Sequence, residues 1–262
     1  MKLYIDIGNS YIKWTYFDNK DSEQYSKIFS CELNDLETLI SSQSFITHDK
    51  TTLNNAAPNL VEAIYIASVS HSSKLEVILQ YFQNLEFPQP ILLQTQSQWR
   101  GLKNAYTKPE RMGVDRWLVL MAAWKEAQHA CLVIDCGTAI TLDAIDNKGQ
   151  HLGGYIVPGL NLLKSTITGS TAKVRFFEGE SISNESIWGD STSNAVNLGC
   201  EFMVLDFIKG RRERFLKQFP KSQLFITGGD GLSLAKQLNL TDAFDEYLLF
   251  KGMVNFAVEE LT

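Results

Sequence analysis

Residues 3–7, Leu-Tyr-Ile-Asp-Ile, make a short apolar run that stops at Gly8-Asn9-Ser10, and residues 11–17 follow with alternating character. This pattern predicts a buried strand, a glycine turn and a hairpin partner, with the next turn at Asp18-Asn19. The same succession recurs at Leu132-Val133-Ile134-Asp135-Cys136-Gly137-Thr138-Ala139, with a hairpin partner over 140–146. Each copy closes on the same tripeptide, Asp18-Asn19-Lys20 and Asp146-Asn147-Lys148. Between the copies, Leu33, Leu36, Leu39 and Ile40 repeat at helical spacing and predict a helix over 33–42. Residues 62–69 predict a central strand, 72–83 an amphipathic helix and 91–93 a short strand. Val114, Trp117, Leu118, Met121 and Ala122 mark a helix over 114–128. After the second copy, Tyr155-Ile156-Val157 predicts a third strand ended by Pro158-Gly159. Helical patterns follow at 160–168, 192–217, 231–238 and 251–261, with a strand at 223–227 running into Gly228-Gly229-Asp230-Gly231.

Alternating strand and helix predicts an α/β layer structure. The polar stretch 94–112, which carries Gly101 and Pro109 and ends just before Gly113, predicts a junction between domains 1–112 and 113–262. A chain of 262 residues, 44% apolar, has room for two ordinary domains and their cores. The net charge of −6, from 24 basic and 30 acidic residues, disfavours nonspecific nucleic-acid binding. Arg211-Arg212-Glu213-Arg214 reads as a solvated helix face, because acid interrupts it. Cys31, Cys131, Cys136 and Cys200 lack paired metal spacing. Cys131 and Cys136 stand an odd number of positions apart on one expected strand, so they face opposite ways. Buried free thiols in a reducing compartment are the expectation. The chain reaches Asp6 too soon for a signal-peptide core, and no run approaches the ~20 apolar residues of a membrane span. A cytoplasmic protein with neither nucleic-acid nor membrane partners is expected. His48, His71, His129 and His151 form no ligand spacing and read as surface or satisfied core histidines.

The duplicated turns suggest phosphate chemistry. Backbone N–H groups in a glycine turn can approach phosphate closely, and a neighbouring hydroxyl or amide adds a directed hydrogen bond. Gly8-Asn9-Ser10 and Gly137-Thr138 both qualify, and Lys13 supplies a point charge. One Asp-x-Gly after a strand is most simply a turn; two copies, each opening a run of strands, favour a nucleotide site. The aspartates repel phosphate and need a hydrated Mg²⁺ or another cation between.

Four stretches carry a finer signature: Asp6-Ile7-Gly8-Asn9-Ser10 through Lys13, Gly113-Val114-Asp115-Arg116, Asp135-Cys136-Gly137-Thr138-Ala139-Ile140-Thr141, and Gly153-Gly154-Tyr155-Ile156-Val157-Pro158-Gly159. Weaker matches follow at Thr171-Ala172-Lys173, Gly189-Asp190-Ser191-Thr192 and Thr227-Gly228-Gly229-Asp230. In order and spacing the set resembles type III pantothenate kinase, within the acetate kinase, sugar kinase, Hsc70 and actin superfamily. Ser10 stands where that family usually has Thr, which keeps the hydroxyl. The resemblance implies two ribonuclease H-like (actin-like ATPase) domains, each a mixed sheet flanked by helices, with a nucleotide cleft between.

It also implies transfer of the ATP γ-phosphate to the primary hydroxyl of pantothenate, with Mg²⁺ on the nucleotide, and a homodimer. ATP would meet Asp6, Ile7, Gly8, Asn9, Ser10, Tyr11, Ile12, Lys13 and Thr138. Pantothenate would meet Tyr106, Gly113, Val114, Asp115, Arg116 and Thr192. Asp135 would hold a monovalent cation, K⁺ or NH₄⁺; hard oxygen ligands alone do not choose between ions. Asp115 matches the base that takes the alcohol proton, at a helix start that favours an ionised carboxylate. Arg116 offers a planar fork for a carboxylate. As residues alone, Asp115-Arg116 also reads as a cap with a surface ion pair, Tyr106 as a packed loop aromatic and Thr192 as a helix N-cap. Gly228-Gly229 resembles the superfamily's adenosine loop and equally suits a plain strand-to-helix turn. Two other readings compete. A nucleotide-binding regulatory protein without turnover has no use for Asp115. Another kinase or phosphatase of the superfamily lacks reason for the G-x-D-R and G-G-x-I-x-P-G pair.

Overall fold

The computed structural model describes residues 1–18, 24–41, 61–69, 73–170 and 187–259. Contacts divide the chain into two compact units, neither continuous in sequence. The first comprises Met1–Arg100, Tyr106–Ala122 and Tyr247–Thr262; the second comprises Gly101–Ala105 and Ala123–Glu246.

In the first unit, β1 (Lys2–Ile7), β2 (Tyr11–Asp18), β3 (Gln24–Tyr25), β4 (Phe29–Glu32), β5 (Ala63–Ser68) and β6 (Ile91–Leu92) form one sheet. Its order is β3-β2-β1-β5-β6, with β4 also on β2. The β1–β2 pair is antiparallel and the β1–β5 pair parallel. The third strand of the repeat is broken into β3 and β4 at Ser26. There the Tyr16 amide donates to Ser26 Oγ at 2.9 Å, and Thr15 Oγ1 donates to the Ser26 carbonyl at 2.9 Å. One face of the sheet buries Leu3, Ile5, Ile7, Ile12, Trp14, Ile64 and Ile66. Leu36 of α1 (Leu36–Ser41) and Leu75, Ile78, Tyr81 and Phe82 of α2 (Ser73–Asn84) cover that face. The expected helix over 33–42 begins as a 3-10 turn, Leu33–Asp35, before α1; residue 42 lies outside the described residues.

The second unit repeats the plan. Its strands are β9 (Cys131–Cys136), β10 (Ala139–Ile145), β11 (His151–Pro158) and β12 (Gln223–Thr227), in the order β11-β10-β9-β12. The β9–β10–β11 meander is antiparallel and β12 joins β9 in parallel. Leu132, Ile134, Cys136, Ile140 and Leu142 meet Val204, Leu205 and Ile208 of α5 (Thr192–Gln218) and Leu234 and Ala235 of α6 (Gly231–Gln237). Leu160 and Leu163 of α4 (Leu160–Ser170) pack against the same core. Both units are mixed sheets flanked by helices, as expected, and β11 is longer than its predicted tripeptide. In the second closing tripeptide, the Asp146 carboxylate accepts from the Lys148 and Gln150 amides, both at 2.8 Å. Its counterpart from Asn19 onward lies outside the described residues.

Where the sequence places a single cut after residue 112, the first unit also takes in the start of α3 (Val114–Ala127) and all the described residues of α7 (Leu248–Glu259). The stretch 94–112 is more ordered than its polarity suggests. It holds two-residue strands β7 (Gln98–Trp99) and β8 (Leu102–Lys103) and a 3-10 turn, Pro109–Arg111. Helix α7 starts at Leu248, ahead of the expected 251, because Leu248 and Phe250 are already core. It packs against β5, and Gly252 lies so close to α3 that a Cβ there would run into the Leu118 carbonyl. Helix propensity alone makes Gly252→Ala stabilising by about 1 kcal/mol. Overpacking against main chain opposes that with about 1–3 kcal/mol or more. Gly252→Ala is expected to lower the urea unfolding midpoint; a raised midpoint would show that the two helices do not approach this closely.

Candidate active site

In the first unit, β1 ends on Asp6 and Ile7, and the Gly8 amide donates to the Tyr11 carbonyl at 3.0 Å to close the turn into β2. The register sets Asp6 opposite Lys13. Directly opposed residues share a face with Cβ atoms roughly 4.5–5.5 Å apart, so an acidic and a basic residue spring from neighbouring points of one face. The other face of the same residues is core: Ile7 and Ile12 are 2% and 0% exposed and can meet a ligand only through main chain. Asn9 and Tyr11 are exposed and Ser10 half-buried at the rim. The Ser10 carbonyl accepts from the Leu33 amide at 2.8 Å, which ties the turn to the chain beyond β4.

The second turn differs in surroundings. Asp135 on β9 is half-buried, and the register sets Thr141 of β10 on one side and Thr227 of β12 on the other. Gly228 has φ +93°, and a Cβ there would occupy the space of the Asp135 carboxylate and the Cys136 carbonyl. Thr138 is exposed on a turn whose carbonyl accepts from the Gly159 amide at 2.9 Å. Neutral threonine and main-chain oxygens surround Asp135, and the Asp230 amide donates to the Cys136 carbonyl next to it at 2.9 Å. Among the described residues no three His, Cys, Asp or Glu side chains gather to hold a metal.

The G-x-D-R stretch opens α3. The Asp115 carboxylate accepts from the Arg116 amide at 2.8 Å, folding back over the helix start. A Cβ on Gly113 would collide with that same carboxylate oxygen, so glycine leaves it room. Arg116 is 5% exposed; its Nη1 donates to the Tyr106 hydroxyl at 3.0 Å, and its guanidinium lies 5.7 Å from the Tyr106 ring centre. The structure thus joins Tyr106 to Arg116, which the sequence left as separate candidates. Arg116 is a buried donor stacked on the Tyr106 ring.

Beside this loop lies a pocket of about 410 Å³ lined by Ser68, Val69, Leu93, Thr95, Arg111, Met112, Gly113 and Val114, among others. Thr95 Oγ1 donates to the Met112 carbonyl at 2.8 Å and pins the loop to the exit of β6. Sequence reading missed Ser68, Thr95 and Arg111. Their one signal is that Ser68 and Thr95 follow apolar strand runs at the edge where the G-x-D-R loop arrives.

In the second unit Thr192 is exposed as the first residue of α5. The N-cap is Ser191, whose Oγ accepts from the Asn194 amide at 3.2 Å, so the cap role open for Thr192 belongs to its neighbour. Thr171-Ala172-Lys173, His48 and His71 lie outside the described residues. His151 is a satisfied core histidine, with Nε2 2.9 Å from Asp143 Oδ1, and His129 Nδ1 meets the Ala127 carbonyl. All four cysteines are free; burial pushes the Cys131 thiol up to about 12, and burial with Asp135 and Asp230 nearby raises Cys136 further. Both are fully buried.

A family model described as type III pantothenate kinase matches residues 2–214. The chain is 33% identical over 240 residues to the type III pantothenate kinase of Marinomonas sp. (strain MWYL1), covering 91% of this chain and 87% of that protein. It is 31% identical over 233 residues to the type III pantothenate kinase of Pseudomonas aeruginosa (strain LESB58), covering 88% of each. Among solved structures it is similar to a Campylobacter jejuni protein described as a Baf family transcriptional activator. The TM-score is 0.58 at 22% identity, over 99% of this chain and 98% of that one, which speaks to the fold alone.

Proposed function

The chain belongs to the type III pantothenate kinase family and phosphorylates pantothenate at the expense of ATP, the first step of coenzyme A biosynthesis; within that reaction we propose that Asp115 is the general base. An alcohol is a poor nucleophile until its proton leaves as attack proceeds. The observation that carries the reading is the carboxylate held over the helix start, with Gly113 leaving space beside it. Arg116 binds the pantothenate carboxylate, and Tyr106 orients the guanidinium through its hydroxyl and ring. Thr192, exposed and relieved of capping, is a further substrate contact.

The Asp6–Lys13 side takes the triphosphate, with main-chain N–H groups of the Gly8-Asn9-Ser10 turn and Lys13 on the phosphates. Thr138 lies on the second phosphate turn. Asp6 is the residue that would hold, through water, a Mg²⁺ arriving with ATP, and that ion would offset phosphate charge. Asp135, between Thr141 and Thr227 and under Gly228, seats K⁺ or NH₄⁺. A regulatory protein that binds nucleotide without turnover would gain nothing from the Asp115 arrangement.

No helix among the described residues is long and apolar enough to cross a membrane, and all four cysteines are free, which supports work in the cytoplasm. The second unit exposes apolar side chains on edge strand β11 (Leu152, Tyr155, Ile156), on α4 (Leu162, Ile167), at Ile187-Trp188 and on α5 (Phe202, Met203). Tyr155 meets Phe207 of α5 edge-on at 5.9 Å, and α4 packs on α5, so the three elements make one face. Ile156 at 61% and Trp188 at 78% exposure suit a surface covered by a second copy of the chain.

Asp115→Asn is expected to lower kcat by about 10²–10⁴-fold, the usual worth of a general base, while calorimetry still finds ATP binding; a near-normal rate removes Asp115 as the base. Replacing sodium with potassium should raise turnover in the native enzyme and leave Asp135→Asn unmoved; equal rates in both salts remove the cation role of Asp135. Light scattering should give twice the 29.6 kDa chain mass and a single-chain mass for Ile156→Asp with Trp188→Asp; an unchanged mass for that pair places the contact elsewhere.

A further inference from the structure

The kinase reading leaves unused a pair of ionisable groups deep in the second unit. Asp143 of β10 and His151 of β11 are each 1% exposed, and His151 Nε2 lies 2.9 Å from Asp143 Oδ1. The other ring nitrogen faces the chain segment that enters this unit at Gly101–Ala105: the Ala105 amide donates to His151 Nδ1 at 3.4 Å. A ring nitrogen that accepts carries no proton. The proton of the neutral ring is therefore on Nε2, where it donates to Asp143, and the carboxylate fixes tautomer and ring plane together. This bond ends a short line of attachments along the same segment. The Lys103 amide donates to the Gly149 carbonyl at 2.8 Å, and Gln150 Nε2 donates to the Lys103 carbonyl at 3.4 Å.

The residue after Ala105 is Tyr106, whose hydroxyl and ring hold Arg116. We infer that the Asp143–His151 pair is a positioning device for pantothenate recognition: it fixes the Ala105 amide and, one peptide bond on, the point from which Tyr106 reaches Arg116. The inference rests on the reading of Tyr106 and Arg116 as pantothenate contacts. Neither member of the pair touches substrate, so neither is a catalytic residue. A simpler role, a polar strut in the core, makes the opposite prediction for two substitutions.

Gln reaches the position of Nε2 and keeps a partner for Asp143 but offers Ala105 no acceptor. Asn offers an acceptor near Nδ1 but leaves Asp143 without its imidazole bond. Steady-state kinetics and thermal melting on the full-length enzyme separate the roles. His151→Gln should melt near the native temperature and raise the pantothenate KM about fivefold, with kcat and the ATP KM within about twofold, as slight misplacement of a binding group does. His151→Asn should melt lower yet keep the pantothenate KM within about twofold. In a Tyr106→Ala background, His151→Gln should add no further rise.

A native pantothenate KM in His151→Gln, an equal rise in both KM values, or a failure of that variant to fold overturns the inference and leaves the pair as a strut. A rise that persists in the Tyr106→Ala background overturns it too, since the effect then bypasses Tyr106. If Tyr106→Ala by itself leaves the pantothenate KM unchanged, the substrate reading of Tyr106 is what fails, and the positioning role falls with it.

Discussion

The pleat of a strand puts consecutive side chains on opposite faces, and in β1 and β9 that alternation divides stability from chemistry. In β1, Leu3, Ile5 and Ile7 are core, while Asp6 shares the opposite face with Lys13. In β9, Leu132, Ile134 and Cys136 are core, while Asp135 shares its face with Thr141 and Thr227. A slip of one residue in either register would turn the carboxylate into the aliphatic core. The apolar packing that stabilises each sheet therefore also holds each aspartate at its strand end.

The two copies share this plan and differ in what faces the carboxylate. Opposite Asp6 is a cation, Lys13, beside a turn whose tip is open. Around Asp135 are threonines and crowded main-chain oxygens, with Gly228 at φ +93° leaving room. On the proposed reading the first environment takes phosphate together with its divalent ion, and the second a monovalent ion. On the proposed reading the proton of the alcohol is taken by neither copy but by Asp115, whose helix begins in the first unit and whose carboxylate accepts from the amide of its own neighbour.

How much was legible in the sequence follows from the range of each interaction. The aspartate turns were, because strand, carboxylate and glycine lie within about ten residues and repeat. The Asp115-Arg116 helix start was readable for the same reason, and the buried state of Arg116 was not, since Tyr106 reaches it from outside the helix. The third strand of the first copy was obscured by the Ser26 break. The start of α7 was obscured because Leu248-Leu249-Phe250 is apolar throughout and shows no period. The division into units was least readable. It rests on contacts between distant segments, such as Gly252 with the Leu118 carbonyl, that leave no local pattern. The Asp143–His151 pair is likewise a product of β10–β11 register, since neither residue stands in a recognisable motif.

The most direct measurement is ADP release by the purified chain from Mg·ATP in potassium buffer, with and without pantothenate. ADP should form only when pantothenate is present, in equal amount to phosphopantothenate. The same rate of ADP release without pantothenate would contradict the assignment of Asp115, Arg116 and Tyr106 to a pantothenate site.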